Sequence, residues 1–128
     1  MKPPVILLLT KDPEVCRIAQ DTVLQARHGL RIIRSSREAF RALAAGCEDV
    51  DLAIVDLDPG LHGAALLEAT GDRLPVLALT SLEENDMLPV AARHGALACL
   101  AKPITAARLT KVINELLPHA AAKLAAAH

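Results

Sequence analysis

The chain is expected to fold as a single α/β domain, a parallel five-stranded sheet with helices on both faces. Three observations predict this. Short apolar runs alternate with segments of helical periodicity along all 128 residues, a strand–helix repeat that calls for a parallel sheet covered on each side. Pro, Gly and capping residues follow the runs where helices must start or stop. Four of the runs end on polar residues: Val5 to Leu9 at Thr10-Lys11, Ala53-Ile54-Val55 at Asp56, Val76 to Leu79 at Thr80, and Cys99-Leu100-Ala101 at Lys102-Pro103.

The first strand is Val5 to Leu9. Asp12-Pro13 then supplies an N-cap followed by proline at the first helical position, and Val15, Ile18, Thr22 and Val23 share one face until His28-Gly29 ends the helix. Leu30 to Arg34 makes the second strand. Ser36 is expected to cap a second helix whose apolar stripe is Phe40, Leu43 and Ala44, stopped by Gly46. Asp51 to Asp56 is the third strand, and Asp58-Pro59-Gly60 forces a turn directly after it. A short helix over Ala64 to Thr70 leads through Gly71 to the fourth strand, Leu74 to Leu79. The next helix runs from about Met87 or Leu88 to His94, with Pro89 near its first turn and Gly95 closing it. Ala96 to Ala101 is the fifth strand. Thr105 caps the last helix, whose Leu109, Val112, Ile113, Leu116 and Leu117 form an i, i+3, i+4, i+7, i+8 face. The expected domain is 1–118, ended by Pro118, and the Ala-rich 119–128 is read as a vector-derived tail.

Composition excludes several classes of function. With 14 basic and 15 acidic residues the formal charge is −1, so nothing draws the chain as a whole toward nucleic acid or an anionic membrane. Phe40 is the single aromatic residue, which removes base stacking as a mode of recognition. No apolar run approaches the roughly 20 residues of a membrane span, and Met1-Lys2-Pro3-Pro4 does not open a signal peptide, so the expected compartment is the cytoplasm. Cys16, Cys47 and Cys99 form no CxxC pair and are read as core residues, with neither a disulfide framework nor a zinc site. His28, His62, His94 and His119 lack metal-ligand spacing. Neither GxGxxG nor GxxxxGK is present. Arg27, Arg31, Arg34, Arg37 and Arg41 make the second strand and helix basic, read as a solvated face with a partner-docking patch as the alternative.

Open parallel sheets bind ligands beyond the carboxyl ends of their strands. Thr10, Lys11, Asp56, Thr80 and Lys102 all fall at such ends. A carboxylate there can attack phosphorus to give an aspartyl phosphate, with Lys102 and the Thr80 hydroxyl supplying charge and a donor. Ile54-Val55-Asp56-Leu57, Pro59, Gly63, Pro75 to Thr80, Ala92 to Ala96 and Leu100-Ala101-Lys102-Pro103 together resemble a response regulator receiver domain of the CheY-like superfamily, from Val5 to Leu117. The resemblance implies a (βα)5 flavodoxin-like fold and a role in bacterial two-component, phosphorelay signalling. It makes Asp56 the phosphoacceptor, Thr80 the switch hydroxyl and Lys102 the phosphoryl contact, with a cis peptide at Lys102-Pro103. It implies no enzyme activity of the domain's own and, as partners, a histidine kinase or an output domain, with self-pairing into a homodimer left open.

Two departures from the family are equally specific. The acidic pair that would bind Mg²⁺ with the phosphoacceptor and the backbone at Asp58 falls on Thr10 and Lys11, leaving Asp12 to the helix cap. Asp56 and Asp58 are then vestigial, no resident metal is expected, and Mg²⁺ enters only if the domain is competent for phosphorylation. Lys11 is expected to pair with Asp56, a contact worth roughly 4 kcal/mol of Coulomb energy at about 4 Å before desolvation, with a hydrated Lys11 swung out into solvent as the alternative. The second departure is Cys99, which stands where the family places a coupling aromatic. These changes favour an atypical receiver, a pseudo-receiver that signals by protein contact with weak or no Mg-dependent phosphorylation. The alternatives are a receiver phosphorylated on Asp56 and, more remotely, a haloacid-dehalogenase-like phosphatase built on the Asp56-Leu57-Asp58 motif.

Overall fold

The structure is a computed structural model that describes residues 3–57, 63–71 and 73–127, with side chains described as far as Pro118. Five strands and five helices alternate: β1 (Val5–Leu9), α1 (Pro13–Gln25), β2 (Gly29–Ile33), α2 (Ser36–Ala44), β3 (Leu52–Asp56), α3 (Gly63–Gly71), β4 (Val76–Thr80), α4 (Glu84–Arg93), β5 (Ala98–Ala101) and α5 (Ala106–Ala127). All strand pairs are parallel, in the order β2-β1-β3-β4-β5. This is the predicted architecture.

Strand alternation divides the core in two. Leu7, Leu9, Ala53, Val55, Val76 and Ala78 point to one face of the sheet and pack with Ala39, Leu43, Leu66, Leu67 and Ala91. Ile6, Leu8, Ile54, Leu77 and Leu79 point to the other, against Val15, Ala19, Val23, Leu109, Ile113 and Leu116. Both clusters are aliphatic with small residues on the helices, so helices approach the sheet closely without an aromatic filler. The α5 face expected from its periodicity is observed, with Leu109, Ile113 and Leu116 buried and Val112 and Leu117 partly so.

Several boundaries move for identifiable reasons. Asp12 caps α1 and Pro13 opens it, as read from sequence. Ser35, however, and not Ser36, caps α2: its Oγ accepts the Glu38 N–H at 3.1 Å. The stripe shifts with it, so Ala39 and Leu43 are buried while Phe40 is 38% exposed and Ala44 is exposed. β4 and β5 begin two residues later than expected, because Leu74 and Ala96 bond back to Thr70 and Ala91 at the ends of the preceding helices. α4 starts at Glu84, leaving Pro89 inside it. α5 continues past Pro118 to Ala127. The proline removes one donor, yet the carbonyl it leaves belongs to exposed Asn114, and the following Ala-rich segment has high helix propensity.

Gly63 positions the site. It opens α3 with its Cα backed onto the end of β3, where an added Cβ would lie 2.7 Å from Leu57 Cα and 3.1 Å from the Asp56 carbonyl. Only glycine allows that approach.

Candidate functional site

Register alone brings the predicted strand-end residues together. Leu9 pairs with Val55 in the β1–β3 ladder and Asp56 with Leu79 in the β3–β4 ladder, so Thr10, Asp56 and Thr80 occupy neighbouring strand ends. Thr10 is fully buried, and its hydroxyl donates to Asp56 Oδ2 at 2.6 Å. The Thr10 Oγ1 in turn accepts the Asp12 N–H at 3.0 Å. Lys102 crosses from the end of β5, its backbone N–H bonded to the Thr80 carbonyl at 2.7 Å. Its Nζ lies 2.8 Å from Asp56 Oδ2 and 3.1 Å from Asp12 Oδ2. The Lys102-Pro103 peptide is cis, as the sequence motif implies.

Asp56 and Lys102 are both well enclosed, with side chains 4% and 13% exposed, so their attraction is poorly screened. Asp12 is the link to the protein's edge. Its Oδ1 accepts the Glu14 N–H at 2.9 Å as the α1 cap while Oδ2 takes Lys102. Partial burial pushes the Asp12 carboxyl up, but the Lys102 hydrogen bond, the α1 amides and the Lys102 charge outweigh it and hold the group below the ordinary aspartate value. The Thr80 hydroxyl, buried, accepts the Leu82 N–H at 3.0 Å.

The expected Lys11–Asp56 pair is not formed. Lys11 is exposed and makes no ion pair among the described residues. The reason is alternation at the end of β1: once Thr10 fills the inward position against Asp56, the next side chain points away. Lys102 takes the carboxylate instead. Asp58 lies outside the described residues, as do Pro59, Gly60 and His62.

Residues 6–114 match the response regulator receiver domain family. The chain is a response regulator receiver domain. It is 31% identical over 119 residues to the sensory/regulatory protein RpfC of Xanthomonas campestris, covering 86% of this chain and 16% of that protein's length. Among solved structures it is similar to a CheY-like receiver domain protein of Methanospirillum hungatei, at 21% identity over 95% of this chain and 99% of that one, with a TM-score of 0.81. A response regulator from Thermotoga maritima gives a TM-score of 0.79 at 17% identity, covering 91% and 98% of the two chains. A role in two-component signalling follows from the family, and the dehalogenase-like reading is withdrawn: a complete β1-α1-β2-α2 unit precedes Asp56, as the receiver order requires.

Receiver domains competent for phosphorylation bind Mg²⁺. The described residues of this one offer that ion a reduced set of carboxylates. Of its two pocket carboxylates, Asp56 shares Oδ2 between a hydroxyl and an ammonium, and Asp12 divides its oxygens between a helix cap and the same ammonium. Mg²⁺ prefers a near-octahedral set of hard oxygens, and Thr10 and Lys11 bring no carboxylate to it. No group of three or more His, Cys, Asp or Glu side chains able to hold a metal occurs among the described residues. No helix among them is long and apolar enough to cross a membrane.

Two site residues escaped the sequence reading. Asp12 does more than cap α1, because a carboxylate has two oxygens and the α1 N-terminus abuts the strand ends. Glu84 was unassigned; its Oε2 accepts the Ala101 N–H at 3.1 Å, one residue before Lys102, and pairs with Arg108 at 2.8 Å. Its carboxyl is held below the ordinary value chiefly by Arg108, then by the Ala101 amide. Cys99 is buried on β5, with its thiol pushed up by burial and, secondarily, by Glu84.

Proposed function

We propose that this receiver domain is atypical: a cytoplasmic pseudo-receiver that signals through protein contact, with weak or no Mg-dependent phosphorylation of Asp56. The observation that supports the reading is Thr10, buried at the end of β1 with its hydroxyl on Asp56 Oδ2, which sets an uncharged group where a metal-binding carboxylate would stand while Lys11 is exposed. In phosphoryl transfer, fixed cations around the transferred group stabilise the charge that develops on its oxygens. Here Lys102 supplies one such charge, and the acidic pair that would recruit a second is replaced by Thr10 and Lys11. Receiver domains work with histidine kinases and output domains, and either is a suitable contact partner.

Retention of Asp56, Thr80 and Lys102 favours the second reading, a phosphoacceptor that works with reduced metal dependence. Titration of the ¹⁵N-labelled domain with MgCl₂, alone and with beryllofluoride, separates the two. The contact reading predicts no saturable shift at Asp56, Thr80 or Lys102. Saturation of those signals would establish the phosphoacceptor reading. Thr10→Asp, not Lys11→Asp, is the substitution expected to gain Mg²⁺ affinity, since Thr10 faces Asp56 directly.

A further inference from the structure

The exposed face of α2 carries more positive charge than the helix needs: Glu38 in the first turn and Arg41 in the last suit its dipole, but Arg37 does not. Arg37 stands in the first turn, at the positive end of the helix dipole. Arg41 follows it at i+4 on the same side, a like-charge pair that disfavours the helix. Between them lies Phe40, the only aromatic residue of the chain, 38% exposed. The stripe extends upward to the site. The Thr10 N–H bonds the Ile33 carbonyl at 3.2 Å and the β1–β2 register sets Leu9 beside Ile33, so the chain leaves these two strand ends with Lys11 on one and Arg34 on the other. All four cations are exposed, and none makes an ion pair among the described residues, whereas Arg31 on the neighbouring strand pairs with Asp49. Glu38 is the only acid on the helix.

We propose that Lys11, Arg34, Arg37, Phe40 and Arg41 form a docking surface for an acidic protein segment that carries large apolar side chains. Charge complementarity sets the acidic character: the stripe is strongly cationic on a chain whose net charge is −1. Phe40 sets the apolar character, because a half-exposed aromatic between arginines gains from burial only against an apolar partner group. Arginine and aromatic residues are the side chains that dominate protein–protein binding energy. A duplex DNA backbone or an anionic bilayer would reward the charges, but phosphates leave the ring unused. The surface supplies a partner class for the contact reading above, yet it does not depend on the state of Asp56.

The test is ¹⁵N chemical-shift mapping with three probes: a helical peptide of Glu with Leu at i, i+3, i+4 spacing, a short DNA duplex, and vesicles containing phosphatidylserine. The Glu/Leu peptide is expected to shift the amides of Arg34 to Ala45 saturably. Arg37→Glu with Arg41→Glu should weaken it about tenfold or more, and Phe40→Ala by several-fold. Arg93→Glu on α4 should leave it unchanged. All of these positions are exposed, and circular dichroism confirms that the variants fold. Peptide shifts confined to other elements, indifference to the α2 substitutions, or equal competition by DNA or vesicles on the same amides would each overturn the proposal. A phosphorylation assay reads Asp56 alone, so failure here and failure of the contact reading are separately visible.

Discussion

Lys102 Nζ lies 3.1 Å from Asp12 Oδ2, so the residue that caps α1 is also a partner of the site lysine. The first helix and the last strand are therefore joined through one side chain, and changes at Asp12 should separate its two roles. Asp12→Asn keeps a good N-cap and loses the ion pair; Asp12→Ala loses both. Urea unfolding should place the alanine variant about 1–2 kcal/mol below wild type. The asparagine variant should fall within about 1 kcal/mol of wild type, because the pair is partly solvated. Equal losses would mean that Asp12 is not acting as a cap.

Thr10→Val tests the buried hydroxyl. The isosteric change removes a donor to Asp56 and an acceptor for the Asp12 N–H, leaving polar groups short of partners. A loss of about 1–3 kcal/mol is expected, with Thr10→Ser recovering much of it. A valine variant as stable as wild type would show that the hydroxyl contributes nothing net.

Gly63→Ala should destabilise by about 1–3 kcal/mol, since the new Cβ would meet backbone at Leu57, which cannot yield like a side-chain tip. Its clearest signature would be shifted amide signals at Asp56 and Leu57. Unchanged signals and stability would refute the close packing of α3 on the strand end.

Glu84 gives the pH dependence. Arg108 and the Ala101 amide hold its folded-state pKa below the ordinary 4.5, so the unfolded chain binds the proton more readily. Its contribution is present above that value and is lost as pH falls through the lower folded pKa. Wild type should lose its advantage over Glu84→Gln on acidification below about pH 4.5. At neutral pH the gap should be about 0.5–1 kcal/mol, as for partly exposed pairs. A gap independent of pH would exclude the ion pair as its source.

The sheet was legible because its signal is redundant: each strand is a short apolar run, and each run ends at a residue with chemistry. Asp56, Thr80 and Lys102 could be placed at strand ends from the same signal, and register carried Thr10 and Asp56 into contact. What one-dimensional pattern lacks is side-chain direction. Lys11 and Thr10 are adjacent in sequence but point oppositely, so the cation was assigned to the wrong lysine. Helical spacing puts Phe40 on a stripe with Leu43 and Ala44, but it is Ala39, one residue earlier, that shares the buried face with Leu43. Asp12–Lys102 and Glu84–Ala101 span 90 and 17 residues, and no local periodicity announces such contacts.

We propose that, with Thr10 and Lys11 in place of the acidic pair, Asp56 undergoes weak or no Mg-dependent phosphorylation. Incubation with acetyl phosphate and MgCl₂, followed by intact-mass spectrometry, tests it most directly. The account predicts an unmodified mass, with any trace of phosphorylated species indifferent to chelation of the metal. A near-complete gain of one phosphoryl group that requires Mg²⁺ and disappears in Asp56→Asn would contradict it.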